Sequence, residues 1–197
     1  QPNAISVQEV LEDALSTVLR TPIKVTGAGR TDTGVHAKLM IAHFDASIPE
    51  DIYGNLVYLL NQFLKTDLVI HSISPVKEDA HARFDAQIRT YEYHIDLEKN
   101  PFSKGLAYLF RDALDLDKMN EAAQLMQTFK DFEAFSKTHT DVKTFFCDIS
   151  NAEWTKKEGG YVFKITANRF LRNMVRAIVG TLLDVGTNKT TIEQVGE

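Results

Sequence analysis

The chain has 197 residues, 44% hydrophobic and 25% charged, with a net charge of −5 at pH 7. These proportions are ordinary for a soluble globular protein and can build one domain or two small lobes. Cys147 is the only cysteine, which excludes an intrachain disulfide, and no apolar run approaches membrane-spanning length. With no signal peptide legible, a cytoplasmic protein is expected. The charge is uneven. Residues 1–96 carry 8 Lys and Arg against 13 Asp and Glu, whereas residues 97–197 carry 14 of each. A negative total argues mildly against nucleic acid, but a binding face depends on where the charges sit.

Ser6 and Glu9 have capping-box spacing, and Val7, Val10, Leu11, Ala14, Leu15, Val18 and Leu19 recur at helical spacing. A helix is therefore expected over about 6–20, stopped by Pro22. Pro22 to Thr26 and Lys38 to Phe44 read as strands flanking a glycine-rich loop. Pro49 opens a second helix through about Leu64, Leu68 to Ile73 reads as a strand, and Ala86 to Leu97 as a longer one. Asp115 can cap a helix from Leu116 to about Phe129. Phe145 to Thr155 is a further strand, and Gly159-Gly160 makes a turn into one ending near Ala167. A final helix is expected over about 168–184. The mixture points to an α+β fold. There is no visible repeat and no low-complexity linker.

The loop Gly27-Ala28-Gly29-Arg30-Thr31-Asp32-Thr33-Gly34-Val35-His36-Ala37 is the most informative stretch. Its glycines permit unusual backbone conformations and close approach by a partner. A dinucleotide fingerprint would need a third Gly where Asp32 stands, and a phosphate cradle would end in Gly-Lys-Ser/Thr, so both fail. The loop is built to present an acid to a substrate rather than to hold an anion. On pattern alone, a structural carboxylate capping the turn is the competing reading.

Elsewhere, Arg169, Arg172 and Arg176 would lie within roughly 60° of each other on the last helix. Phe170, Leu171, Met174, Val175, Ile178 and Leu182 would form an apolar stripe on the other side. Three arginines so placed are either a solvated face or a basic binding face. Tyr91 and Tyr93 share one face of their strand and fit core packing as well as a site. The six histidines are scattered, with no metal-ligand spacing, and no nucleotide-cofactor motif appears, so neither metal nor cofactor is expected.

The string Gly29-Arg30-Thr31-Asp32-x-Gly34-Val35-His36-Ala37 resembles the active-site motif of the TruA-type family of tRNA pseudouridine synthases. Further blocks agree in the family's order. They are Gln1-Pro2-Asn3 with Ser6-Val7-Gln8 and Leu11-Glu12, His81-Ala82-Arg83-Phe84-x-Ala86, and Arg89-x-Tyr91-x-Tyr93. Asp131-Phe132 with Phe135 follows, then Phe170-x-x-x-Met174-Val175-Arg176-x-Ile178-Val179-Gly180. Together they span essentially the whole chain.

The resemblance implies two similar α/β lobes, here 1–95 and 96–197, sharing a continuous, mostly antiparallel sheet with the active site in the cleft between them. It implies isomerisation of uridine at positions 38, 39 and 40 of the tRNA anticodon stem-loop, by a homodimer that clasps the tRNA. Asp32 would be the essential carboxylate, Arg176 the cation that keeps it ionised, and Tyr91 the aromatic residue against the base. Arg30 would help fill the gap left by the flipped nucleotide. Arg83, Arg89, His81, Arg169 and Arg172 would line the RNA path. Family members carry an opening strand before this stretch and a closing strand after it, so the chain reads as the central portion of a longer enzyme. Two other readings stand beside this one. A non-catalytic RNA-binding protein could keep the scaffold, and a carboxylate-dependent nucleoside or glycoside hydrolase would need a second acid, for which Asp45 and Asp85 offer no sign of convergence.

Overall fold

The structure, a computed structural model, describes residues 4–137 and 143–196, so the Gln1-Pro2-Asn3 block lies outside the described residues. The chain divides into two compact units, Gln1–Ala86 and Gln87–Glu197.

The first unit is organised by α1 (Val7–Leu19). Ser6 caps it by accepting from the Glu9 N–H, while the Glu9 carboxylate accepts from the Ser6 N–H. Arg20, in the left-handed region, ends it. Ala14 and Leu15 are buried with Ile23, Val25, Leu56, Leu60 and Leu64. Residues 22–26 alternate buried and exposed as a strand would, yet only Thr26–Gly27 (β1) pairs, with Ala42–His43 (β2). The reason is local. The Ile23 N–H donates to Ser16 Oγ at 2.9 Å and the Val25 N–H to the Glu12 carboxylate at 3.1 Å, so α1 side chains take the amides a ladder would use. The helix expected from Pro49 is broken at Gly54-Asn55 into α2 (Glu50–Tyr53) and α3 (Leu56–Phe63). The strand expected over 68–73 is absent, because the Asn61 side chain binds both the N–H and the C=O of Ile70, each at 2.8 Å.

Gln8, then Lys24 and the Val25 N–H, donate to Glu12 and hold its carboxyl down to about 2. A depressed folded value means that this contribution is complete above the ordinary glutamate range and is lost as pH falls toward about 2. The denaturation midpoint of the wild type should therefore fall across that window. Glu12→Gln should show a flatter profile, and parallel profiles would contradict the assignment.

The second unit carries a mixed four-stranded sheet in the order β4 (Tyr108–Leu109), β3 (Arg89–Asp96), β6 (Gly160–Ala167), β5 (Ile149–Lys157). β3 and β5 run antiparallel to β6, and β4 is parallel to β3. The whole of β3 belongs to this unit because it pairs with β6 from Arg89↔Ala167 to Asp96↔Gly160. The expected division at 95/96 lies at the other end of that strand. On one face, α4 (Leu116–Met126) contributes Met119, Ala122, Ala123 and Met126, and α5 (Met174–Gly186) contributes Met174, Ile178 and Leu182. These pack with Trp154, Phe163, Ile165 and Ile95 in one apolar core. Asp115 caps α4 as expected, accepting from the Lys118 N–H at 3.1 Å. A short α6 (Ile192–Val195) follows α5. Among the described residues, no helix is long and apolar enough to cross a membrane.

The last long helix begins at Met174 rather than 168, which corrects the expected arginine stripe. Asn168 is held by Asp148, the Arg172 C=O accepts from the Lys137 N–H, and Asn173 is left-handed at φ 69°. Arg169 and Arg172 consequently lie in the connection before α5, and only Arg176 lies on the helix.

Gly160 has a steric reason to be glycine. A Cβ there would sit 1.9 Å from the Ile95 carbonyl oxygen, a backbone atom that cannot move aside without opening the β3–β6 pairing. Gly160→Ala should destabilise this unit by about 3 kcal/mol in denaturant titration; an unchanged midpoint would contradict so close an approach.

Candidate functional site

The loop that carries Asp32 is anchored at its base by two pairs, Thr26↔His43 and Gly27↔Ala42, and by a hydrogen bond from the Ala28 N–H to the Ile41 C=O at 2.8 Å. At its tip, the Val35 N–H donates to the Asp32 C=O at 3.2 Å, and Gly34 sits at φ 85°. This is a four-residue turn, Asp32 to Val35, whose third position requires a positive φ. Gly34 is thus explained by backbone geometry, and Asp32 leads the turn. Arg30 and Asp32 are both exposed, as is every residue from 29 to 42. The arrangement holds a carboxylate and a guanidinium two residues apart on a short, hairpin-anchored loop.

The same unit contains a turn built from His81 to Asp85. The Asp85 carboxylate accepts from the His81 N–H at 2.7 Å. His81 Nδ1 accepts from the N–H groups of Arg83 and Phe84, at 3.2 and 3.3 Å, which places the ring proton of neutral His81 on Nε2. The imidazole lies against Phe84 at 4.1 Å and edge-on to His43 at 4.8 Å. His43, on β2, accepts from the Ala82 N–H at Nδ1. Sequence reading singled out His81 and Arg83 but missed His43. Its signal was present in the strand Ile41-Ala42-His43-Phe44, where a polar ring interrupts an apolar run. His43 joins the hairpin beneath Asp32 to the turn that carries the exposed Arg83. Asp85, weighed as a second acid, is committed to that turn.

In the second unit, Tyr91, Tyr93 and Ile95 occupy the face of β3 that packs into the core. Tyr91 meets Phe170 edge-on, with ring centroids 5.1 Å apart and planes at 88°. Burial pushes the Tyr93 hydroxyl up, and the positive charge of Arg176 acts against it. Arg176, exposed on the third residue of α5, therefore lies within electrostatic reach of the tyrosine face. Arg89 donates from Nη1 to the Asn168 C=O at 2.9 Å, and Arg169 to Thr144 Oγ1 at 3.4 Å. Arg172 is exposed. Tyr91, Arg89, Arg169, Arg172 and Arg176 thus belong to the second unit, while Asp32, Arg30, His81 and Arg83 belong to the first.

No group of three His, Cys, Asp or Glu side chains suited to a metal ion occurs among the described residues. A cavity of about 360 Å³ opens beside the segment after β3, lined by Asp96, Ser103, Lys99 and Lys104 among others. It lies at the far end of β3 from Tyr91. The Asp96 carboxylate there is already bound by Lys157 at 2.5 Å and by Ser103, and Lys157 first and Ser103 second hold it below the usual carboxylate range. That group pins the β3–β4 connection and offers no free acid.

Comparison with known proteins matches residues 1–85 and 122–197 to the family described as tRNA pseudouridine synthase. A protein of Bacteroides thetaiotaomicron called tRNA pseudouridine synthase A is 54% identical over 98% of this chain and 72% of its own length. Its namesake in Parabacteroides distasonis is 52% identical over 98% of this chain and 77% of its own. The Bacillus subtilis protein of the same name is 37% identical over 99% of this chain and 80% of its own.

Proposed function

The chain belongs to the tRNA pseudouridine synthase family, and from that premise we propose that it isomerises uridine to pseudouridine in tRNA. The observation that carries this reading is the family match across both units, which includes the Asp32 loop. In the reaction the N1–C1′ bond breaks, the uracil turns, and C5 bonds to C1′. C5 gives up its hydrogen as a proton and N1 gains one, so nothing is oxidised and no group is lost.

We assign Asp32 the essential carboxylate, acting as nucleophile or as the base on a glycal-like route. Its exposed, glycine-defined turn supports the assignment. Arg176 is its charge partner in this reading, keeping the acid ionised in a closed site. Tyr91 stacks on the extracted uracil and its hydroxyl can assist loss of the C5 proton. Arg30 fills the space left by the flipped nucleotide, a step that otherwise forfeits a few kcal/mol of stacking. Arg83, Arg89, His81, Arg169 and Arg172 follow the RNA backbone. The same reading includes the two-lobed fold with a continuous sheet and central cleft, a homodimer clasping the tRNA, uridines 38, 39 and 40 as targets, and a cytoplasmic setting.

Unmodified tRNA transcripts with a single uridine at position 38, 39 or 40, and cytidine at the other two, test it. After incubation, nucleoside analysis should find pseudouridine at those positions. Intact uridine with tRNA bound would favour a binding protein, and free uracil would favour a hydrolase.

A further inference from the structure

The six residues between β6 and α5, Asn168 to Asn173, form an irregular connection that opens on a clamped side chain. The Asn168 amide faces Asp148 in both senses. Its Oδ1 accepts from the Asp148 N–H at 2.9 Å, and its Nδ2 donates to Asp148 Oδ2 at 3.2 Å. The two backbones add a third contact, from the Asn168 N–H to the Asp148 C=O at 3.1 Å. Lys130 binds the other carboxylate oxygen at 2.6 Å, so Asp148 is itself fixed. On the opposite side, the Asn168 C=O takes the Arg89 guanidinium at 2.9 Å. Two residues later Phe170 presents its ring to Tyr91, and Leu171 is buried and accepts from the Met174 N–H as α5 begins. Asn168 thus ties the segment before β5 to the start of β3, two residues ahead of Phe170.

We infer that Asn168 is a positioning residue, which sets the Phe170 ring against Tyr91 through a reciprocal amide–carboxylate clamp with Asp148. The inference rests on the role assigned to Tyr91 above. An aromatic ring that must meet an extracted base tolerates little displacement, because misplacement of about 1 Å can lower turnover a hundredfold. Asn168 is exposed and its backbone contacts survive side-chain loss, so its removal acts on alignment more than on folding.

Tritium release from tRNA labelled at uridine C5 supplies kcat and KM, with thermal unfolding run on every variant. Asn168→Ala should lower kcat about tenfold with KM changed less than about threefold. Phe170→Leu, which removes the ring and keeps much of the bulk, should do the same. The double variant should be no slower than the worse single one, because both act through one alignment. Exchanging the pair, Asp148→Asn with Asn168→Asp, keeps an amide facing a carboxylate and should recover most of the lost kcat. Wild-type kcat in Asn168→Ala, multiplicative losses in the double variant, or an exchanged pair that folds but stays slow would each overturn the inference. Tyr91→Leu, which removes the ring, is the separate control. Wild-type kcat there would remove the Tyr91 reading itself, whereas a slow Tyr91→Leu beside a fast Asn168→Ala would remove only the clamp.

Discussion

Asp32→Asn is expected to lower turnover by at least about a thousandfold while leaving folding and tRNA affinity within about threefold of wild type. The turn explains why the two effects separate. The bond that closes it runs from the Val35 N–H to the backbone carbonyl of residue 32, not to its carboxylate. Asn is as well suited as Asp to lead such a turn, and Gly34 still supplies the positive φ. Only the charge and nucleophilicity of the side chain change. Loss of binding together with turnover would mean that Asp32 holds the loop; turnover within about tenfold of wild type would remove it from the chemistry.

Arg176→Ala should reduce turnover by about a hundredfold, the scale expected when one preorganised charge is removed from a reacting centre. Helix formation should be preserved, since Ala is the strongest helix former and Arg176 lies on the exposed side of α5. Arg176→Lys should fall between the two, retaining charge but losing the planar fork. The substitution also has a readout independent of catalysis. Arg176 acts against the burial that raises Tyr93, so its removal should move tyrosinate formation at Tyr93 further up in an absorbance titration. An unmoved Tyr93 would place the guanidinium elsewhere. Full turnover in Arg176→Ala would end its role as charge partner.

Much of the scaffold is legible where the signal is local or periodic. The Ser6–Glu9 box, the Asp115 cap, the apolar stripe of α1 and the β5–β6 hairpin that turns at Gly159-Gly160 follow from spacing and turn residues alone. The failures share a cause. Residues 22–25 and 68–73 have strand-like composition, but Glu12, Ser16 and Asn61 take their backbone groups. The connection 168–173 has helical spacing, yet Asn168 and the left-handed Asn173 divert it. Side-chain to backbone bonds across many residues leave no period in a sequence. The turn between β1 and β2 was legible from its glycines, and Gly34 now has a conformational reason. His43 was missed because its partner, the Ala82 N–H, is 39 residues away.

The most direct test of the account is tritium release from unmodified tRNA labelled at uridine C5. That hydrogen must leave when the new carbon–carbon bond forms, and it has no reason to leave in binding or in simple hydrolysis. The wild type should release tritium in step with pseudouridine formation, and Asp32→Asn should release none. Folded wild-type protein that binds the tRNA and releases no tritium would contradict it.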